Sequence, residues 1–183
     1  MLFRSYVFLA QGFEEMEALG PVDILRRGGV EVLTVSITDC YEVVGAHGVR
    51  VMADRLLGEI DAEGADLLLL PGGMPGATNL LDCRPLHRLL TTHHQNGKLL
   101  GAICAAPMVL GQLGLLKGRR ATCYPGFEHL LTGATTTNEL VTVDGLIVTG
   151  KGPAATFDYG FTLLSMLSSE EKSREVAQGM MFC

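Results

Sequence analysis

Short apolar runs of strand length alternate with segments of helical period along the whole chain. This alternation is the pattern of a parallel sheet covered on both faces by helices. Residues 6–10 form the first run, Gln11-Gly12-Phe13 its turn, and residues 14–27 a helical segment with Met16, Leu19, Val22, Ile24 and Leu25 at near-helical spacing. Gly28-Gly29 supplies the left-handed cap that ends it. Residues 30–37 read as a second strand. Across residues 41–53, Val43, Val44, Val49 and Val51 surround Gly45 and Gly48, which predicts a small hairpin added to the side of the sheet. Ala65-Asp66 leads into four leucines, Leu67 to Leu70, an unbroken apolar run that demands burial on both faces, and Pro71-Gly72-Gly73 stops it abruptly. A helix over 86–95, a buried strand over 98–103 and a helix over 108–116 follow. Asp144-Gly145 is the signal of a two-residue hairpin turn. Gly150-Lys151-Gly152-Pro153 closes that hairpin's second strand, before a helix over 154–167 with Phe157, Phe161, Leu164 and Leu167 on one face. The class is α/β, and 183 residues suit a single domain over 1–183.

Composition narrows the function classes. Hydrophobic residues make up 48% and charged residues 19%, too apolar for a disordered chain. Fourteen Lys and Arg against twenty Asp and Glu give a net charge of −6, so no basic face offers itself to nucleic acid. No apolar run approaches the ~20 residues that span a bilayer, and the N-terminal run is too short for a secretory signal. Five cysteines, at 40, 83, 104, 123 and 183, are an odd number without a CxxC pair. They point to free thiols in a reducing compartment, hence a cytoplasmic protein. The five histidines show no HExxH and no zinc spacing, so neither a metal nor a cofactor is expected.

The most informative segment runs over residues 99–107, Leu-Leu-Gly-Ala-Ile-Cys-Ala-Ala-Pro. A buried strand ends at Cys104, and small residues with an early proline start a helix at once, the layout of a nucleophile elbow. The helix N-terminus favours thiolate over thiol, so Cys104 is expected to be acidic and reactive. Cys40, Cys83 and Cys123 read as ordinary small apolar residues, and Cys183 as a bystander at the chain end. Loops at the carboxyl ends of strands converge in an open α/β sheet, which makes the backbone N–H groups of Gly73 and Ala105 candidate donors to an oxyanion. A tight turn alone accounts for the two glycines equally well. Glu14, Glu15 and Glu17 begin the first helix, where acids suit the helix dipole. Glu17 could also reach the sheet's carboxyl edge and, buried and protonated, serve Cys104 as hydrogen-bond donor and proton shuttle.

Six ordered segments carry a resemblance. They are residues 9–17, Pro21-Val22-Asp23, residues 26–29, Leu70-Pro71-Gly72-Gly73, residues 102–107 and Gly152-Pro153. Together they resemble the ThiJ/PfpI superfamily, in the subgroup of the Parkinson's-disease protein deglycase and its bacterial YajL-type relatives, over nearly the whole chain. The resemblance implies a flavodoxin-like sandwich that forms a homodimer, with Cys104 as an oxidation-sensitive thiol, Glu17 its acid partner, and Gly73 and Ala105 the backbone donors. It implies cofactor-independent glyoxalase or deglycase activity on small aldehydes such as methylglyoxal or on glycated groups, or a stress-protective redox sensor or chaperone. Arg27, His47, Gly72, Tyr124 and Pro153 would line the substrate pocket. Two departures bear on this. Tyr124-Pro125 replaces the histidine and proline of the animal branch, and His47 replaces an arginine that would share a small anion pocket with the equivalent of Arg27. No histidine stands beside Cys104 in sequence, with only His129 a distant candidate, so an intracellular cysteine peptidase is disfavoured. A thiamine-precursor biosynthesis protein and a binding domain without chemistry are the remaining alternatives.

Overall fold

Four leucines in a row can be buried on both faces only inside a sheet with helices on each side, and that is where they lie. A computed structural model describes residues 3–182, so Cys183 falls outside the described residues. The chain runs β1 (Arg4–Leu9), α1 (Glu15–Arg27), β2 (Glu31–Ser36), β3 (Glu42–Val44), β4 (Arg50–Met52), β5 (Arg55–Leu56), β6 (Leu67–Leu70), α2 (Gly76–Asp82) and α3 (Arg84–Gln95). It continues through β7 (Leu99–Ile103), α4 (Pro107–Gln112), β8 (Arg120–Ala121), β9 (Thr135–Thr136), β10 (Val141–Asp144), β11 (Ile147–Gly150), α5 (Thr156–Leu167) and α6 (Glu170–Gly179).

Seven strands form the central sheet in the order β10-β11-β7-β6-β1-β2-β5, parallel except for β10, which returns antiparallel to β11. β6 sits between β1 and β7, with Leu67 opposite Leu99 and Leu70 opposite Ala102. All four leucines are buried, and truncating any one to alanine would cost about 2–5 kcal/mol. From β1 the chain crosses to β2 on one side, and from β6 it crosses to β7 on the other. With right-handed crossovers this places the intervening helices on opposite faces and makes a switch point at the carboxyl ends of β1 and β6.

On one face α1 packs against α5, and α5 against α6. The α1–α5 pair is close because at every fourth position a glycine of one segment receives a larger side chain of the other. A Cβ on Gly20 would collide with Thr156, one on Gly160 with Ile24, and one on Gly28 with Leu164. Equal steps of four on both helices mean that they run parallel, ridge against groove. Glu14 caps α1 by accepting the Glu17 N–H at 2.7 Å, and Arg26 and Arg27 sit at the opposite end of the dipole.

Several boundaries differ from expectation. The β3–β4 hairpin exists but is its own two-stranded sheet, and β5 occupies the edge beside β2 instead. α4 ends at Gln112 rather than 116, with Gly114 at φ +74° just beyond it. On α5 the core face is Tyr159, Leu163, Leu164 and Leu167, while Phe157 and Phe161 turn to Phe182, with ring centroids 4.7 and 5.3 Å away. No helix among the described residues is long and apolar enough to cross a membrane.

Candidate active site

Three adjacent strands, β7, β6 and β1, end at the same edge, and the segment that follows each of them contributes to one cluster. After β7 comes Cys104, held at φ 65°, a left-handed conformation rare for any residue but glycine. Its N–H donates to Gly150 O at 2.9 Å and its carbonyl accepts from Tyr124 N at 2.8 Å, so both neighbouring loops pin the strained turn. The side chain is buried, with 8% of the residue exposed.

After β6 come Gly72 and Gly73. A Cβ on Gly72 would stand 2.7 Å from both Cys104 Cβ and Glu17 Oε2, which places that carboxylate oxygen on the cysteine's side. Gly73 lies at φ +86° and packs against the backbone of Gly12, Phe13 and Glu14, leaving no room for a side chain. The Gly73 and Ala105 N–H groups both approach the Cys104 sulfur as hydrogen-bond donors.

After β1, the Gln11–Phe13 turn delivers α1 with Glu17 in its first turn. Glu17 is fully buried, and Oε2 accepts the Gly72 N–H at 3.0 Å. The carboxyl lies against the Cys104 thiol, close enough for a hydrogen bond between them. Burial raises the Glu17 acid to about 7; the Glu14 charge adds to this, while the Cys104 thiol and the Gly72 N–H oppose it.

The structure therefore brings together Cys104, Glu17, Gly73 and Ala105 as the sequence proposed, but it corrects the thiol's ionisation. Cys104 is pushed up to about 12, by burial first, then by the charge of Glu17 and its hydrogen bond; the two N–H donors only moderate this. The expected acidic thiol fails because α4 is a six-residue helix beginning three residues further on, too short to outweigh a buried carboxylate. In this arrangement Glu17 and Cys104 compete for one negative charge, and Glu17 is the stronger claimant.

The pocket residues divide. Gly72 serves Glu17 rather than an open pocket. Tyr124 and Pro153 line a small, almost wholly apolar cavity of about 170 Å³ with Leu140, Gly152 and Ala155, next to the Cys104 backbone. His47 is exposed at the rim, where Nδ1 lies 2.8 Å from Glu15 Oε2 and 4.0 Å from Glu14 Oε1. The Glu15 carboxylate raises the His47 imidazole, and the imidazole in turn lowers Glu15. Glu14, Glu15 and His47 present ligand-type atoms within 4.8 Å of one another, but Glu15 already accepts from the His47 N–H and Glu14 from the Glu17 N–H. The expected pairing of His47 with Arg27 is not made within the chain. Arg27 binds Asp23 at 2.8 Å, twelve residues or roughly 18 Å along α1 from Glu15. His129 is exposed on the 3-10 turn Glu128–Leu130, and no histidine among the described residues hydrogen-bonds Cys104. Cys40 is exposed, not buried as a small apolar residue would be.

Two residues escaped the sequence reading. Thr156 and Tyr159 on α5 are buried, and their hydroxyls have no protein partner. The available signal was two hydroxyls one helical turn apart on a helix whose other inward residues are leucines and Gly160.

The fold has close counterparts. Residues 4–166 match the model of the DJ-1/PfpI family. Protein DJ-1 homolog B of Arabidopsis thaliana is 42% identical over 92% of the chain, although the chain spans only 39% of that relative. Glutathione-independent glyoxalase DJR-1.2 of Caenorhabditis elegans is 32% identical over 89% of the chain and 87% of the relative. The structure of oxidized Toxoplasma gondii DJ-1 superposes with a TM-score of 0.95 at 36% identity, covering 99% of each chain. With its family model covering most of its length and this sandwich beneath it, the chain belongs to the DJ-1/PfpI family.

Proposed function

We propose that the protein is a cofactor-independent glyoxalase that converts methylglyoxal or a similar 2-oxoaldehyde to a 2-hydroxy acid. The observation that carries this reading is the buried Glu17 carboxyl lying against the Cys104 thiol, under the N–H groups of Gly73 and Ala105. An acid poised at about 7 can both take and return a proton at neutral pH. As the sulfur adds to the aldehyde carbon, Glu17 takes the thiol proton, and the aldehyde oxygen develops its charge beside the two N–H donors. Glu17 passes that proton to the oxygen, which completes a hemithioacetal and leaves the carboxylate free again. Glu17 next removes the hydrogen from the same carbon, the new hydroxyl's proton moves to the neighbouring carbonyl oxygen, and Glu17 returns its proton to that neighbouring carbon, which leaves a 2-hydroxyacyl thioester. Water cleaves the thioester, releasing the hydroxy acid and restoring the thiol. The aldehyde carbon is oxidised and its neighbour reduced, so no external redox partner enters. The name of the Caenorhabditis elegans relative supports the reading. Early adducts of methylglyoxal with proteins present the same kind of carbon and are the second substrate class. Purified protein given methylglyoxal without glutathione should form lactate; lactate no greater than that from Cys104→Ala would overturn the reading.

A second role for the same sulfur is supported by the oxidized state of the Toxoplasma gondii structure. Peroxide would convert the Cys104 thiol to sulfenic acid and water, and a second equivalent would give sulfinic acid, with Gly73 and Ala105 N–H groups receiving the new oxygens. Mild peroxide should add two oxygens that map to Cys104, and uptake first at another cysteine would remove this role. A homodimer is supported by the exposed Met16, Val49 and Met52, on α1 and around the adjoining hairpin, an apolar surface suited to a second copy. Sedimentation should give twice the chain mass, and a monomer at micromolar concentration would exclude it. The unbonded Cys40, Cys83, Cys104 and Cys123 favour a reducing compartment such as the cytoplasm.

A further inference from the structure

Beneath Glu17 lies a second set of polar atoms that the reaction above does not use. Glu17 Oε2 bonds Gly72, but Oε1 is fully buried with no hydrogen-bond partner, and the same is true of Thr156 Oγ1 and Tyr159 Oη. Buried polar atoms are ordinarily paired, so one carboxyl oxygen and two hydroxyls left without partners on the facing helices α1 and α5 need a reason.

In the parallel α1–α5 pair Gly20 touches Thr156, Glu17 lies one turn nearer the sheet's carboxyl edge, and Tyr159 one turn further from it. Side chains tilt toward the N-terminus of their helix, so Tyr159 leans toward the edge of the sheet where Glu17 and Cys104 lie. Its hydroxyl rests over Gly101 of β7, three residues before the cysteine. A Cβ on Gly101 would stand 2.5 Å from that oxygen, so the glycine makes the space the phenol occupies. Burial first, and then the nearby Glu17 charge, hold the Tyr159 phenol protonated.

We propose that Tyr159 is a positioning residue for Glu17, donating to Oε1 through one buried water that Thr156 shares. Three polar partners are what a buried water ordinarily has. A donor on Oε1 stabilises the ionised carboxylate, so Tyr159 keeps the pair's single negative charge on Glu17 and off the sulfur until substrate arrives. The other groups facing Glu17 are Glu14 on its own helix, the Gly72 N–H and the Cys104 thiol. This inference rests on the pairing of Glu17 with Cys104 and not on which substrate that pair serves.

The test is the pH dependence of Cys104 alkylation by iodoacetamide, read together with ultraviolet thiolate absorption, in Tyr159→Phe. Loss of the donor should let Glu17 keep its proton more readily, raising the Cys104 alkylation rate at pH 9, where Glu17 is otherwise ionised, about five- to tenfold, and at pH 7 by no more than about twofold, as for a hydrogen bond to a charged group. In the Glu17→Gln background the same substitution should change nothing. A Tyr159→Phe profile that superposes on the unsubstituted one overturns the proposal, and so does an increase that persists without Glu17. Should Tyr159→Phe fail to fold, Thr156→Val removes one hydroxyl at nearly constant volume and should shift the profile in the same direction by less. Its silence would be equally decisive. Because the readout is thiol ionisation, it stands whether or not the protein makes lactate.

Discussion

Cys104 and Cys123 are both buried thiols at strand ends, 8% and 4% exposed, and burial pushes both far above the ordinary thiol range, to about 12 and about 11. By burial alone they could not be told apart. The difference lies in what surrounds the sulfur. Cys123 has only the charge of Glu128 acting on it besides burial. Cys104 sits in a left-handed turn with a carboxyl against the sulfur and two N–H groups aimed at it. A buried thiol becomes chemically useful when a neighbouring acid can take its proton and fixed donors can receive the charge that follows. Raised ionisation is thus compatible with a reactive site in one place and marks an inert core residue in the other.

The largest expected effect breaks the comparison outright. Cys104→Ala should lower lactate formation by about a thousandfold or more, while Cys123→Ala should leave the rate within about twofold. Glu17→Gln comes next and should cost about a hundredfold in turnover. It should also stabilise the fold in a pH-dependent way. Glu17 titrates near 7 when folded against about 4.5 unfolded, so the unfolded chain gives up its proton first and the native state bears the cost above that range. Thermal unfolding should show the variant gaining about 2–3 kcal/mol at pH 8 and under about 1 kcal/mol at pH 5. Gly72→Ala would put a methyl group 2.7 Å from both Cys104 Cβ and Glu17 Oε2. It should cost about 1–3 kcal/mol in stability and separate the acid from the thiol, seen as lost turnover in a protein that still folds. The smallest effect sharpens the contrast from the other side. Glu128 is exposed, so Glu128→Gln should move the alkylation profile of Cys123 barely measurably, where Glu17→Gln moves that of Cys104 strongly.

Much of the architecture was legible because its signals are local. The leucines at 67–70, the glycines that end α1 and the Asp144-Gly145 turn each dictate backbone conformation within a few residues. The elbow was legible for the same reason: a buried strand running into Cys-Ala-Ala-Pro leaves few alternatives. What could not be read was set by distant partners. The ionisation of Cys104 depends on Glu17, 87 positions earlier, and on how little water remains around it. Arg27 and His47 both looked available to an anion, but helical rise carries Arg27 to the far end of α1 and leaves it with Asp23. Phe157 and Phe161 have the spacing of a core face, yet the neighbouring Phe182 draws them away from the sheet. Tyr159 carries its meaning only through Gly101, on a strand that the sequence does not connect to it.

Titration of the Cys104 thiolate with and without the Glu17 carboxylate tests the account most directly. In the unsubstituted protein the thiolate should form well above the ~8.5 of a free thiol, and Glu17→Gln should displace that ionisation downward by removing the opposing charge. A thiol that ionises at or below the free value with Glu17 in place, or a profile that Glu17→Gln leaves unmoved, would contradict it.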